Sequence, residues 1–435
     1  MEIIRPNDRS KKEVKDKSQD LLKKVKALAS KYDCIEDVRL VGSVAKDTYV
    51  GRPDIDVFIL FSPSTKREVM EETGLLIGDA LLTDKEKRYA EHPYVHGHFD
   101  GFEVDIVPCY MISDTKMMMS AVDRTPFHTD YIISNLKDEQ KSEVILLKQF
   151  LKGIDAYGAE AKTQGFSGYL VELLVIKYGT FKGVLEAAST WKTGERLDIN
   201  GKGGKRFQSP LTFYDPVDLS RNVASALSLE KFCLFVHACK EYRASPDMRY
   251  FFPNKRMNLS CDEIRKREDA IGHPIVFASC KRPDIVDDNL YPQARKTLDG
   301  LVTQLEKDDF CILDKALNIT EDEVVFGLLL ETDVLSPTYK HIGPPVTMAN
   351  SKTFLARWKG EAKVGPYIEN GRWVAIVKRD VKNADVALIK ALTTASLGDS
   401  FKDCDIKVFN TKQHLRDGHL ECATKLLDKR MSWEI

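Results

Sequence analysis

The residues whose types and spacing can do chemistry lie in Val41 to Phe61, VGSVAKDTYVGRPDIDVFILF. Asp54 and Asp56 stand two apart at the mouth of an apolar run, so on a strand both side chains leave the same face. Two carboxylates on one face repel, which is tolerable only in open water or around a cation. Oxygen ligands suit hard Mg²⁺, which keeps waters and substrate phosphates in its remaining positions. Asp105, in FEVDIVP, is the candidate third carboxylate. Alternation puts Glu103 and Val107 on its face and Phe102, Val104 and Ile106 on the other. Upstream, Gly42 lets an anion approach the backbone, and the start of a helix offers unsatisfied N–H groups to phosphate oxygens. Ser43 adds a hydroxyl, or serves as a plain helix N-cap, and Lys46 adds a cation. A phosphate cradle ahead of paired carboxylates sets a nucleoside triphosphate between backbone amides and metal, the arrangement for phosphoryl or nucleotidyl transfer.

Several elements must position these residues. Apolar residues at helical spacing (Val14, Leu21, Leu22, Val25, Leu28) predict an amphipathic helix over Lys11 to Lys31. Val38 to Val41 reads as a strand ending at Gly42-Ser43, followed by a short helix and the strand Asp56 to Phe61. Asp100-Gly101 between His96 to Phe99 and Phe102 to Val107 is a hairpin signal. After Pro126 the patterns Lys137 to Lys152, Phe166 to Phe181 and Asn222 to Tyr242 are helical, with Thr193 to Pro210 an exposed Gly- and Lys-rich loop. Strands at Ile275 to Ser279 and Glu323 to Leu330 alternate with a helix opened by Pro292 and running to Lys307. The tail holds a hairpin at Asn370-Gly371, a strand Trp373 to Lys378, and a helix Ala384 to Leu392 capped by Asn383. The fold class expected is α+β and multidomain: a mixed-sheet palm, a helical central domain, and an αβ body with a tail.

The G-S turn, the D-x-D some ten residues later and a further Asp on a later strand resemble the nucleotidyltransferase superfamily of DNA polymerase β. RTPFHTDYI (Arg124 to Ile132), Ile145 to Leu174, DPVDLSRNVASALS (Asp215 to Ser228) and DIVDDNLYPQ (Asp284 to Gln293) narrow the likeness to the archaeal, class I CCA-adding enzymes. The likeness covers nearly the whole chain and is weakest over the last eighty or so residues. It implies a catalytic palm at 1–136, a helical nucleotide-binding domain at 137–256, a body at 257–350 and an RNA-binding tail at 351–435. It implies template-independent addition of C, C and A to the 3′ end of tRNA from CTP and ATP, with release of pyrophosphate. Asp54, Asp56 and Asp105 would hold two Mg²⁺ ions. Gly42, Ser43 and Lys46 would meet the triphosphate, and His128, Lys148, Tyr157 and Arg221 match further nucleotide-binding positions. The family commonly has arginine where Lys46 stands, and lysine keeps the charge but loses the bidentate fork. Some relatives have Glu at the position of Asp54. C and A share an exocyclic amino group, so a site choosing them must offer acceptors. Arg221 has none, and the family's use of RNA phosphate oxygens in the base site meets that need. The alternatives are a poly(A) polymerase or oligoadenylate synthetase on the same palm, and an inactive RNA-binding module.

Composition sets the remaining bounds. A chain of 435 residues asks for about three domains. Sixty-five basic against 66 acidic residues exclude a global cationic field of the histone kind. Nine cysteines without a C-x-x-C pair read as reduced thiols. The charged N-terminus and the short apolar runs predict a cytoplasmic protein with no membrane partner. The expected macromolecular partner is the acceptor and T-stem half of tRNA; the number of chains is left open, a homodimer included. Lys202, Lys205, Arg206, Lys255 and Arg256 are candidate RNA contacts. GKGGKR lacks the frame of a P-loop. His92, His96 and His98 invite a zinc reading, since His96 and His98 project to one side of a strand, but no fourth ligand stands at metal spacing, and Cys109 reads as a buried thiol.

Overall fold

The computed structural model describes residues 7–89, 92–201 and 203–435, and divides into two compact units, one built from 1–254 with 431–435 and the other from 255–430. In the first unit α1 (Asp8–Ala29) buries Val14, Leu21, Val25 and Ala29, the expected stripe. Asn7 caps it, accepting the Ser10 N–H at 2.8 Å. Then follow β1 (Ile35–Val41), α2 (Gly42–Lys46), β2 (Ile55–Phe61), α3 (Arg67–Leu81), β3 (Thr83–Tyr89), β4 (Pro93–Phe99) and β5 (Phe102–Tyr110). They form a five-stranded sheet in the order β1-β2-β5-β4-β3, mixed because only β2 and β5 run parallel. Asp100 and Gly101 both take positive φ, 48° and 81°, so the expected hairpin closes by the turn that matches strand twist. One sheet face is oily: Ile55, Val57 and Ile59 of β2 and Phe102, Val104 and Ile106 of β5 share a core with α1 and α3. Alternation therefore turns Asp56 and Asp105 to the other face.

The unit continues through α4 (Thr125–Asn135), α5 (Asp138–Gly153), α6 (Gly168–Tyr178), α7 (Phe181–Ala188), β6 (Glu195–Leu197), β7 (Leu211–Phe213) and α8 (Leu229–Ala244) around one aromatic-rich core. Two helical expectations and one loop need correction. The pattern Phe166 to Phe181 breaks at Gly179, whose φ of +84° ends α6 before α7 begins. Of Asn222 to Tyr242, only the part from Leu229 is helical. Asn222 is buried and accepts the N–H groups of Phe213 and Ala224 while donating to the Leu211 carbonyl, so local side-chain bonds displace helical ones. The loop Thr193 to Pro210 also contains β6, which pairs parallel with β7. Residues 431–435 complete this unit: Trp433 stacks on Tyr250 at 4.9 Å, and the Ser432 hydroxyl donates to the Gly153 carbonyl.

In the second unit come α9 (Cys261–Ile271), β8 (Ile275–Lys281), α10 (Asp287–Lys307), β9 (Ile312–Ile319), β10 (Glu323–Leu330), β11 (Thr338–Pro345), α11 (Ser351–Trp358), β12 (Val364–Glu369), β13 (Arg372–Lys378), α12 (Ala384–Thr394), β14 (Lys407–Asn410) and α13 (Asp417–Leu427). The antiparallel sheet β14-β8-β10-β9 is covered on both faces. Val276, Ala278 and Cys280 pack against α10 and α12, and Ile275 and Phe277 against α9 and α13. Pro292 lies inside α10, which starts five residues earlier; its missing N–H forfeits one bond near the helix start. Asn383 stands at the N-cap of α12 without a side-chain cap bond. A smaller sheet, β11-β13-β12, closes through Asn370 and Gly371, both at positive φ. Among the described residues no helix is long and apolar enough to cross a membrane, and all nine cysteines are free.

Candidate active site

Strand pairing lines the chemical residues up in a row. Val41 faces Asp56 across β1 and β2, Asp56 faces Asp105 across β2 and β5, and Asp105 faces His96 across β5 and β4. Gly42 opens α2 with φ +68°, and a Cβ there would meet Oδ2 of Asp56 at 2.0 Å. Only glycine lets the carboxylate sit against the backbone. Burial, then the charges of Asp105 and Asp54, push the Asp56 carboxyl up to about 7. Asp54 is raised by burial and by Glu103 and Asp105. Oδ1 of Asp105 lies 2.7 Å from Nδ1 of His96. The acids are thus short of positive charge, and their all-oxygen donor set fits a hard cation. Among the described residues no three His, Cys, Asp or Glu side chains converge into a closed metal-ligand group, the trio included.

Ser43 is the second residue of α2; the N-cap is Val41, so the plain-cap reading of Ser43 does not hold. Lys46, at the end of α2, is buried and donates to Oε2 of Glu172 at 2.6 Å. The other oxygen of Glu172 accepts from the Thr48 hydroxyl at 2.6 Å and from Lys148 of α5 at 3.1 Å. Lys148 also donates to the Thr48 carbonyl at 3.0 Å. Burial lowers the Lys46 pKa; burial works against Glu172 too, but Lys148 and Lys46 outweigh it and keep the carboxylate ionised. Tyr157 joins this group: a Cβ on Gly168 would stand 3.1 Å from its hydroxyl and 3.6 Å from Nζ of Lys148. Glu172 escaped sequence reasoning, although a lone acid in GYLVELLVIKY is the same signal that singled out Asp105.

His128 and Arg221 meet at a second buried acid, Asp215. His128 Nε2 lies 2.8 Å from Oδ2 of Asp215, and Arg221 Nη1 donates to that oxygen at 3.0 Å. The hydroxyl of Tyr169 and the N–H of Val217 reach Oδ1, each at 3.1 Å. His128 stacks on Tyr169 with centroids 3.9 Å apart. Neither Asp215 nor Tyr169 was singled out from the sequence; no spacing rule connects them to His128.

The candidate RNA contacts differ in their local surroundings. Lys205 and Arg206 are exposed, Lys202 falls outside the described residues, and Lys255 is exposed. Arg256 is held by Asp428 at 2.9 Å and by the Asp428 carbonyl at 2.8 Å. His96 and His98 do share a side, with ring centroids 6.5 Å apart, but the first is taken by Asp105. Cys109 is fully buried, and burial raises its thiol pKa.

Three family models match the chain: a nucleotidyltransferase domain over residues 20–128, a second domain of tRNA nucleotidyltransferase over 142–252, and a C-terminal domain of CCA-adding enzyme over 272–409. The chain is similar to a CCA-adding enzyme of Methanosarcina acetivorans, 39% identical over 410 residues that cover 92% of this chain and 90% of the relative. It is also similar to a CCA-adding enzyme of Methanothermobacter thermautotrophicus, 43% identical over 354 residues, 80% of this chain and 78% of the relative. Among solved structures, the Cid1 poly(U) polymerase aligns over 57% of this chain and 92% of its own, with a TM-score of 0.44 and 14% identity.

Proposed function

The chain belongs to the CCA-adding enzymes, and on that premise we propose that it adds C, C and A to the 3′ end of tRNA from CTP and ATP, releasing pyrophosphate, at the carboxylate row of its first unit. The observation that carries the residue assignment is the pairing of Asp56 with Asp105 on parallel strands, with Asp54 at the strand mouth and Gly42 open beside them. In this reading Asp54, Asp56 and Asp105 bind Mg²⁺. Held by these three carboxylates, divalent metal would supply acidification of the attacking 3′ hydroxyl and neutralisation of charge on the departing pyrophosphate.

The chain's own residues do the rest. Gly42 and Ser43 give the triphosphate a close approach to backbone and hydroxyl, and Lys46, Lys148 and Tyr157 add donors from a neighbouring cluster. The Lys46 ammonium is bonded to Glu172, so it acts on phosphate through the local field, or directly once that bond exchanges. His128 holds its ring parallel to Tyr169, and Arg221 offers donors to ring nitrogen or carbonyl acceptors of the base. Asp105, with one oxygen held by His96, orients the primer hydroxyl. The acceptor and T-stem half of tRNA is the RNA partner, with the four-part division at 136, 256 and 350 as its domain plan.

Incubation with a tRNA lacking CCA and labelled CTP or ATP tests the activity: two C and one A, then a stop. Unlimited A addition, or no C, would favour a poly(A) polymerase instead. Asp54→Ala and Asp56→Ala should abolish incorporation while leaving tRNA binding; unchanged incorporation would remove the metal assignment.

A further inference from the structure

One buried acid organises the half of the site away from the sheet. Asp215 has no exposed surface, and its carboxylate accepts four hydrogen bonds: His128 and Arg221 on Oδ2, Tyr169 and the Val217 N–H on Oδ1. Four is the acceptor capacity of an ionised carboxylate. Burial opposes that ionisation, but the hydrogen bond from His128, the Val217 N–H and the Arg221 charge prevail. An ionised carboxylate can only accept, so Nε2 of His128 carries the proton. Burial also holds the His128 ring neutral against the pull of Asp215. A neutral imidazole protonated at Nε2 keeps its lone pair on Nδ1. The stack on Tyr169, 20° from parallel, fixes the plane in which that lone pair lies.

We propose that Asp215 is a positioning residue for nucleotide selection: it holds Arg221 in place and locks His128 in the tautomer whose Nδ1 accepts an N–H or O–H of the incoming nucleotide. The inference rests on the reading that Arg221 and His128 face the nucleotide. It adds a protein acceptor beside the RNA phosphate oxygens, which Arg221 cannot provide. A guanidinium only donates, whereas C and A present an exocyclic amino group that needs an acceptor, and U and G present a carbonyl in its place. The ribose hydroxyl is the other donor Nδ1 could meet.

The test is Asp215→Asn, read by steady-state kinetics on a tRNA lacking CCA with CTP, UTP and dCTP. The amide offers one acceptor oxygen and one donor NH₂, so it cannot serve both pairs of partners. The kcat/KM for CTP should fall about 10- to 100-fold, chiefly through KM. The preference for CTP over UTP should shrink if Nδ1 meets the amino group, and the preference over dCTP if it meets the hydroxyl. In a background carrying His128→Gln and Arg221→Met the same change should cost little, because its routes of action are already gone. Retention of KM and both preferences, or a full additional loss in that background, overturns the proposal. Should Asp215→Asn fail to fold, Tyr169→Phe removes one of the four bonds and keeps the stack; it should show the same pattern at several-fold smaller size, and an unchanged KM and preference would overturn the proposal. If His128→Gln and Arg221→Met themselves leave KM unchanged, the nucleotide-site reading fails, and this inference with it.

Discussion

Replacing Gly42 by alanine tests whether Asp56 is held where the reaction needs it. The substitution acts twice. At φ +68° an L-residue carries a backbone penalty of roughly 1–2 kcal/mol. The new Cβ would also lie 2.0 Å from Oδ2 of Asp56, and opening that contact even to 3.0 Å drives the carboxylate about 1 Å off its position. A misplacement of about 1 Å at a reacting centre is worth roughly 100-fold in rate. Gly51 provides the matched control, since its φ is +73° and a Cβ there would meet nothing within 4 Å. Gly51→Ala therefore carries the backbone penalty alone. Both variants should lower the melting temperature by about 2–8 °C. Only Gly42→Ala should lose kcat, by about 100-fold, in single-turnover addition of CMP to a tRNA lacking CCA. Equal turnover in the two variants would refute the claim that the glycine exists to admit Asp56.

Three further outcomes are expected. Glu172→Gln leaves two buried ammonium groups without their carboxylate and should destabilise the first unit by about 3–5 kcal/mol, read as a shifted urea midpoint; a change below about 1 kcal/mol would mean the cluster is hydrated. His419 is fully buried between Phe277 and Phe409 with both ring nitrogens unpartnered, and burial together with Arg416 lowers its pKa to about 4. Its folded pKa lies below the unfolded 6.5, so the native state binds fewer protons and stability falls as pH drops from about 6.5 towards 4; His419→Phe should flatten that slope, and an unchanged slope would remove His419 as its cause. Binding of tRNA should weaken steeply with salt despite a net charge of −1, as filter binding between about 50 and 200 mM salt would show; a flat response would mean the basic residues are not gathered on one face.

What the sequence made legible was periodic. Alternation in FEVDIVP put Asp105 opposite Phe102, Val104 and Ile106, and the helical spacing of Val14, Leu21 and Val25 located the first helix, because burial of one face repeats at a fixed interval. Asp-Gly and Asn-Gly announced their hairpins through a local backbone preference that no tertiary contact had to supply. The failures were those of long range. The seven residues before Leu229 have helical texture, but Asn222 bonds to a strand that pairs only after folding. Pro292 reads as a helix start because its cost inside the first turns is small enough for packing to override. Glu172 and Asp215 were invisible for the same reason: their partners Lys46 and His128 stand 126 and 87 positions away, and spacing carries no information about contacts made across a fold.

The return of residues 431–435 to the first unit has a consequence for the timing of synthesis. The stretch 255–430 must be made between the last helical segment of that unit and the tryptophan that stacks on Tyr250. At about 5–20 residues per second, that interval is roughly 10–35 s. Throughout it the Tyr250 face covered by Trp433 is bare and the Gly153 carbonyl lacks the Ser432 hydroxyl. The nascent chain therefore carries a nearly finished first unit whose last aromatic seat stays open until the second unit has been translated.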